Sequence, residues 1–435
     1  MAIASQSAAT WTPLLTGALK THAEAVVQEI AAALAGPSAI LDLQGGSLGA
    51  GWAGMGLFHW ALAQHTRSGE ALDRAERWMD RATDALAEAS LPPALYGGFL
   101  GIGWAVELML RAQAGGEDLN GELDEALLGL LDQSPWPGDY DLIEGLVGYG
   151  VYGLARIQRP LGPALMAKVV LRLEELARTE SGGLTWATPA RLLPPWQRAR
   201  YGQGHYNLGV AHGIPGVLAL LGHAIASGVE PERAARLLEG GMAWFLAQRN
   251  PPELETCFGN AIPMERLEAR EASRVAWCYG DLGISLALLG AARRAGRPEW
   301  EGEALDIARR VAGRSPEHAG VADAALCHGT AGNAHLFNRL HHATGEVLFR
   351  DAALEWFQRT LAFHQPGQGV GGFFAYTPDL EDATRDPWTP VPGLLEGAAG
   401  IGLALLAALG SAEPVWDQML LADLPPAMAS NDCRP

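Results

Sequence analysis

The sequence predicts an all-α fold, an α/α toroid (barrel) of seven helix-pair repeats with short β and loop insertions. Three observations carry this. A Gly-x-x-Gly step recurs seven times, each step opens a run that is apolar almost all round, and amphipathic segments lie between successive runs. Helices apolar all round must be buried and helices apolar on one face must lie against them, so their alternation fits two concentric rings.

The glycine pairs are Gly51/Gly54, Gly98/Gly101, Gly145/Gly148, Gly213/Gly216, Gly280/Gly283, Gly329/Gly332 and Gly397/Gly400. Their first members are separated by 47, 47, 68, 67, 49 and 68 residues, which is one unit with or without an insertion. Runs such as Val217-Leu218-Ala219-Leu220-Leu221 and 401–406 read as inner helices, whereas 70–89, 231–248 and 348–362 carry a polar face and read as outer helices. The glycines are expected to let inner helices approach closely and to supply a permissive backbone for the turn into each one. Insertions near 178–206, 249–276 and 364–392 fill the longer intervals, and within them 181–186 and 371–376 read as strand-like pieces over one end of the barrel. No composition shift marks a linker, so residues 1–435 read as a single toroid domain.

Charge and composition exclude several classes of function. With 49 acidic against 31 basic side chains the formal charge is −18, which disfavours a broad grip on nucleic-acid phosphates or an anionic membrane. Four scattered cysteines, Cys257, Cys278, Cys327 and Cys433, do not resemble a secreted disulfide framework. The first positive residue is Lys20, and Thr10, Thr12 and Pro13 break the first apolar stretch, so no export signal is expected. The longest weakly charged stretch, 393–410, contains Glu396 and reads as a buried helix rather than an integral membrane segment. A soluble, cytoplasmic protein is expected. Neither a phosphate-binding Gly-x-x-x-x-Gly-Lys-Ser/Thr loop nor a dinucleotide fingerprint is present.

Aligning the repeats on their first glycine makes the preceding residues comparable. Two positions before it stand Gly49, Tyr96, Ile143, Ala211, Cys278, Cys327 and Leu395, and one before it Ala50, Gly97, Glu144, His212, Tyr279, His328 and Glu396. Equivalent positions at inner-helix starts should face one cavity. Cys278, Cys327 and His328 then form a Cys₂His set, and three protein donors leave zinc an open fourth position, the pattern of a catalytic site. Both thiols precede helix N-termini, which favour the thiolate. Singly, each is as well explained as a small buried hydrophobe or a hydrogen-bonded histidine; the shared register favours Zn²⁺.

His212 titrates near neutrality and suits proton transfer beside the metal, though it also reads as a structural helix-start histidine. Asp141 is placed to orient it and Glu144 competes, while either acid, like Glu396, would also simply stabilise a helix start. His335, His341 and His342 are expected to pack or face solvent, and Cys257 and Cys433 lie outside the register.

The runs 207–216, Trp277-Cys278-Tyr279-Gly280-Asp281-Leu282-Gly283 and Leu326-Cys327-His328-Gly329-Thr330-Ala331-Gly332-Asn333 together resemble the lanthionine synthetase C (LanC) family, and the glycine pattern extends the resemblance from about Gly45 to Leu406. The resemblance implies an α/α toroid holding zinc through Cys278, Cys327 and His328, with Asp141, His212, Arg274 and Tyr279 matching active-site positions. Leu282 stands where the family often has proline. The activity implied is that of a stand-alone lanthipeptide cyclase, adding peptide cysteine thiolates to dehydroalanine or dehydrobutyrine to form thioether rings in antibiotic biosynthesis. The partners implied are a dehydrated precursor peptide with its leader, a dehydratase and an exporter. Arg274 either stabilises the developing enolate or holds Asp141.

Three alternatives remain open. A prenyltransferase-like thiol alkyltransferase would show six repeats and a carboxylate ligand. A LanC-like enzyme that adds glutathione to dehydroamino acids shares the zinc site, although Tyr279 after Cys278 fits the cyclases better. A non-catalytic peptide-binding scaffold has no need of an open metal site.

Overall fold

A computed structural model describes residues 11–36, 45–88, 90–111, 117–379 and 384–427. The inner helices are α2 (Trp52–Thr66), α4 (Phe99–Arg111), α6 (Leu146–Ala155), α9 (Ile214–Ala226), α11 (Asp281–Ala295), α13 (Thr330–Thr344) and α15 (Ala398–Leu409). The outer helices are α1 (Gly17–Ala33), α3 (Gly69–Glu88), α5 (Gly121–Leu130), α7 (Gly162–Leu176), α10 (Pro231–Leu246), α12 (Pro298–Ala312) and α14 (Val347–Ala362), while the short α8 (Pro195–Arg200) belongs to an insertion. Each inner helix packs on the next and α15 packs on α2, so the inner ring closes. The α/α toroid predicted from the glycine repeat is therefore the observed fold. Every residue of α6 and α15 is buried, whereas α3 buries Ala71, Ala75, Trp78, Met79, Ala82 and Ala85, a single stripe at helical spacing. The first outer helix, α1, covers the last inner helix, α15.

The positions two before each glycine are linked directly. The N–H of Gly49 donates to the carbonyl of Tyr96 (2.8 Å), Ala211 to Cys278 (3.4 Å), Cys278 to Cys327 (3.4 Å), Cys327 to Leu395 (2.8 Å) and Leu395 to Gly49 (3.0 Å). In the third repeat Leu142, one residue earlier, donates to Ala211 (3.0 Å). Six of the seven steps around the axis are thus bridged by main chain, giving the loop that precedes each inner helix a partner for its buried polar groups.

The glycines serve this girdle through the close approach expected of them, and only once through a permissive backbone. Among the first glycines named above, only Gly280 has a positive φ, at 112°. The constraint is space. At every second glycine an added Cβ would collide with the carbonyl six residues earlier, at 1.9 Å from Leu326 for Gly332 and 2.1 Å from Trp277 for Gly283. The loop folds back over the first helical turn so tightly that only a hydrogen fits.

The insertions form small antiparallel sheets. β1 (Arg178–Glu180) and β2 (Gly183–Thr185) make a hairpin; β3 (Thr188–Pro189), β4 (Gly204–Asn207) and β5 (Ala261–Pro263) make a three-stranded sheet; β6 (Ala375–Tyr376) pairs with β7 (Trp388–Thr389). The middle sheet ties two insertions together through His205 opposite Pro263 and Asn207 opposite Ala261. At the other side of the girdle the segment after α15 runs beneath it, where Tyr96 Oη donates to the Met419 carbonyl (2.8 Å) and Trp277 Nε1 to the Leu420 carbonyl (2.9 Å).

Gly332→Ala should cost roughly 1–3 kcal/mol or more by overpacking. Gly302→Ala, on an exposed stretch of α12 with nothing within 4 Å of the new methyl, should gain up to about 1 kcal/mol from helix propensity. Thermal melts at one scan rate check this; matching midpoints for the two variants would refute the steric account.

Candidate metal centre and active site

The girdle fixes where the chemistry-bearing side chains meet. Cys278 and Cys327 occupy adjoining steps of it, and His328 follows Cys327; the donor atoms of all three lie within 4.8 Å of one another. This is the one such cluster of three or more metal-ligating side chains among the described residues. Cys278 is held well below the ordinary thiol value, chiefly by a hydrogen bond from Cys327 and, against the opposing effect of burial, by His328 and Arg274. Cys327 is correspondingly pushed up by its bond to Cys278 and by burial. Burial lowers His328, but its bond to Cys278 and the charge there raise it overall. The shift at Cys278 is toward the thiolate, the donor character that a soft or borderline metal cation requires.

Next to this cluster, His212 Nδ1 lies 2.6 Å from Asp141 Oδ2. Asp141 is buried, whereas the His212 side chain is 45% exposed to the cavity that it faces. Burial works against the imidazolium, yet the bond and charge of Asp141, with Cys278 and Asp139 adding to them, raise His212 above 6.5. The competition between Asp141 and Glu144 resolves through the loop geometry. Asp141 Oδ1 accepts the N–H of Glu144 (2.8 Å), which turns Asp141 inward, while Glu144 is exposed and lines the cavity mouth. Asp139 joins the pair, raised to about 7 by burial and by Asp141.

Tyr279 stacks near His212, ring centroids 6.2 Å apart, and its hydroxyl accepts from Asn207 Nδ2 (2.9 Å). Burial pushes the Tyr279 phenol up, so it remains a donor. Arg274, exposed, makes no hydrogen bond or ion pair among the described residues and does not hold Asp141; its charge falls instead on Cys278, Cys327 and His328. A cavity of 550 Å³ opens beside His212 and Tyr279, walled by Asp139, Asp141 and Glu144 on one side and by Thr188, Leu193 and His205 of the insertion sheet on the other.

Two thiols and an imidazole on the axis of a seven-repeat toroid, beside a His–Asp dyad, invite comparison with known proteins. The family described as lanthionine synthetase C-like protein matches residues 42–421. The chain belongs to that family. The nisin biosynthesis protein NisC of Lactococcus lactis subsp. lactis is 29% identical over 160 residues, a segment that spans 35% of this chain and 38% of that protein. Over the whole fold, the solved structure of nisin cyclase superposes with a TM-score of 0.72 at 21% identity, covering 93% of this chain and 97% of that one.

Within this family fold, the seven residues singled out in the sequence lie at the starts of inner helices or in the loops leading into them. Asp139, His205 and Asn207 complete the site and were not singled out. Asp139 carries a signal, an acid two residues from Asp141; His205, which burial pushes down to about 4, carries none, since its strand only meets the cavity through pairing with β5. His335 is buried against Asp417 (2.8 Å) and His342 stacks on Trp11, so neither approaches the cluster. Cys257 is buried with its N–H bonded to Asp281, and Cys433 lies outside the described residues. No described helix is long and apolar enough to cross a membrane.

Because His212 has its folded pKa above the unfolded value, its pairing adds stability that is full below about 6.5 and is lost as pH rises through the folded value. Asp141→Asn should drop the His212 pKa and remove that pH-dependent increment. Histidine-selective NMR titration, with His212→Gln identifying the resonance, measures it; an unshifted titration would break the dyad assignment.

Proposed function

We propose that this protein is a zinc-dependent lanthipeptide cyclase, joining peptide cysteines to dehydroalanine or dehydrobutyrine as (methyl)lanthionine thioethers. The observation that carries it is the convergence of Cys278, Cys327 and His328 within 4.8 Å, beside the His212–Asp141 pair, in a chain of the lanthionine synthetase C-like family. The donor set suits zinc: two thiols, of which Cys278 is shifted toward the thiolate, and one imidazole, three donors that leave a fourth tetrahedral position for substrate. Zinc held there would lower the pKa of a substrate thiol placed at that position, keeping the nucleophile available near neutral pH.

The chain's own groups then move protons and hold charge. His212 donates its Nδ1–H to Asp141, which leaves Nε2 to take the proton of the peptide thiol. The sulfur forms its bond to the β-carbon, and the alkene electron pair moves onto the α-carbon and its carbonyl oxygen. Arg274, without a partner of its own, supplies positive charge for that developing oxyanion, and Tyr279, oriented by Asn207, supplies a hydrogen-bond donor. His212 returns the proton to the α-carbon, closing the cycle. The reading implies a dehydratase acting beforehand on a precursor peptide that bears a leader, an exporter afterwards, and a cytoplasmic setting.

Two outcomes test it. Purified without added metal, the wild type should carry about one zinc per chain and Cys278→Ala almost none by plasma mass spectrometry; zinc that survives the substitution refutes the ligand set. His212→Asn should keep its zinc yet lose roughly 10²–10⁴ in cyclisation rate, followed as loss of alkylatable thiol in a dehydrated peptide. An unchanged rate would remove His212 from the mechanism.

A further inference from the structure

The insertion that walls the cavity presents an outer face that the chemistry does not use. Residues 188–201 run from β3 through the turn Ala190–Leu192 into α8. Leu192, Leu193, Pro194 and Gln197 line the cavity, whereas Trp196 projects away and, at 63%, is the most exposed large apolar side chain among the described residues. The same stretch holds Arg191, Arg198 and Arg200, all exposed, and no acid, in a chain of formal charge −18. Arg191 and Arg198 spend a donor each on the carbonyls of Pro137 and Leu193, so neither charge is neutralised by a carboxylate. Only Arg200 is paired, with Glu271 on the loop after β5, and that loop exposes Leu267 at 52%.

A tryptophan left in water on a six-residue helix, with Arg191, Arg198 and Arg200 in the same stretch beside a cavity, is an arrangement suited to binding. We infer that the 188–201 arm is a docking lip for a stretch of the peptide substrate outside the reacting cysteine, a stretch that is acidic and carries bulky apolar side chains. The inference rests on the cyclase reading for the identity of its occupant. Trp196 would take an apolar side chain, and Arg191 and Arg198 the neighbouring carboxylates, which steer the peptide toward a cavity whose lining includes Asp139, Asp141 and Glu144. The docked stretch would lie beside Leu193 and Pro194, within a few residues of the cavity holding His212.

Fluorescence anisotropy on the zinc-loaded full chain tests this, using a fluorescein-labelled peptide of Asp and Glu alternating with Leu and Phe, and its counterpart with Lys for every acid. The acidic peptide should bind more weakly as salt rises. Its affinity should fall about tenfold in Trp196→Ala and in Arg191→Gln/Arg198→Gln, and be largely kept in Trp196→Phe. Equal affinity in wild type and all variants, or preference for the lysine peptide, would overturn the lip. Arm-dependent binding by a wild type that cyclises no dehydrated peptide would sink the cyclase reading and leave the lip standing. Cyclisation by a wild type whose affinity ignores the arm would do the reverse.

Discussion

Everything at the centre of this protein depends on a ring of main-chain hydrogen bonds around the toroid axis. Because in six of the seven steps the residue two before the first glycine of a pair, or the one just before it, donates to its counterpart in the next repeat, positions far apart in sequence are held at a fixed spacing. Cys278 and Cys327 sit on adjoining steps, so the main chain holds their backbones together, and their donor atoms lie within 4.8 Å of one another and of His328. A candidate metal site built this way is pre-organised, since its donors would need little reordering on binding. The same ring places Ala211 between Leu142 and Cys278, which puts His212 near the thiols and brings Asp141, just before Leu142, against His212.

The ring also dictates the glycines. A loop that must reach sideways to its neighbour and still lie on its own helix leaves no room for a Cβ, and the collisions fall at the same six-residue offset in all seven second glycines. The glycine pattern is the steric imprint of the girdle. Electrostatically, packing loops around an axis gathers acids, and Asp139 and Asp141 illustrate the consequence. Burial first, and then the neighbouring Asp141, push Asp139 up to about 7, while Asp141 bonds to the His212 imidazole.

Much of this was legible in the sequence because the repeat makes a one-dimensional register into a three-dimensional one. Residues at the same offset from a glycine share a height on the barrel, so Cys278, Cys327, His328 and His212 could be grouped without coordinates. What the register does not carry is side-chain direction within a loop, hence Asp141 and Glu144 stayed in competition until the bond from the Glu144 N–H to Asp141 turned one in and the other out. Nor does it carry contacts between insertions. β4 and β5 come from different insertions and pair over three residues, too short for alternation to announce. The role of the glycines was half legible: close approach was anticipated and holds against the neighbouring repeat, as at Gly101 against Leu48, but the tightest contact is with each helix's own preceding loop, and positive φ matters at Gly280 alone among the first glycines.

The segment after α15 completes the logic of the cavity. It carries its backbone into an apolar interior, where unpaired carbonyls would be costly, and two girdle-region side chains meet that need: Tyr96 caps Met419 and Trp277 caps Leu420. Asp417, fully buried, is tolerated because His335 and Arg339 surround it. Protein therefore fills the space where Tyr96 and Trp277 meet this segment. On the insertion side, by contrast, lies the cavity beside His212 and Tyr279, lined by Thr188 of β3, His205 and Asn207 of β4 and residues of the arm that bears Trp196. Placing the recognition loops on the same side as the open face follows from closing the other, since helix starts, metal donors and insertions all emerge at one end of the inner ring.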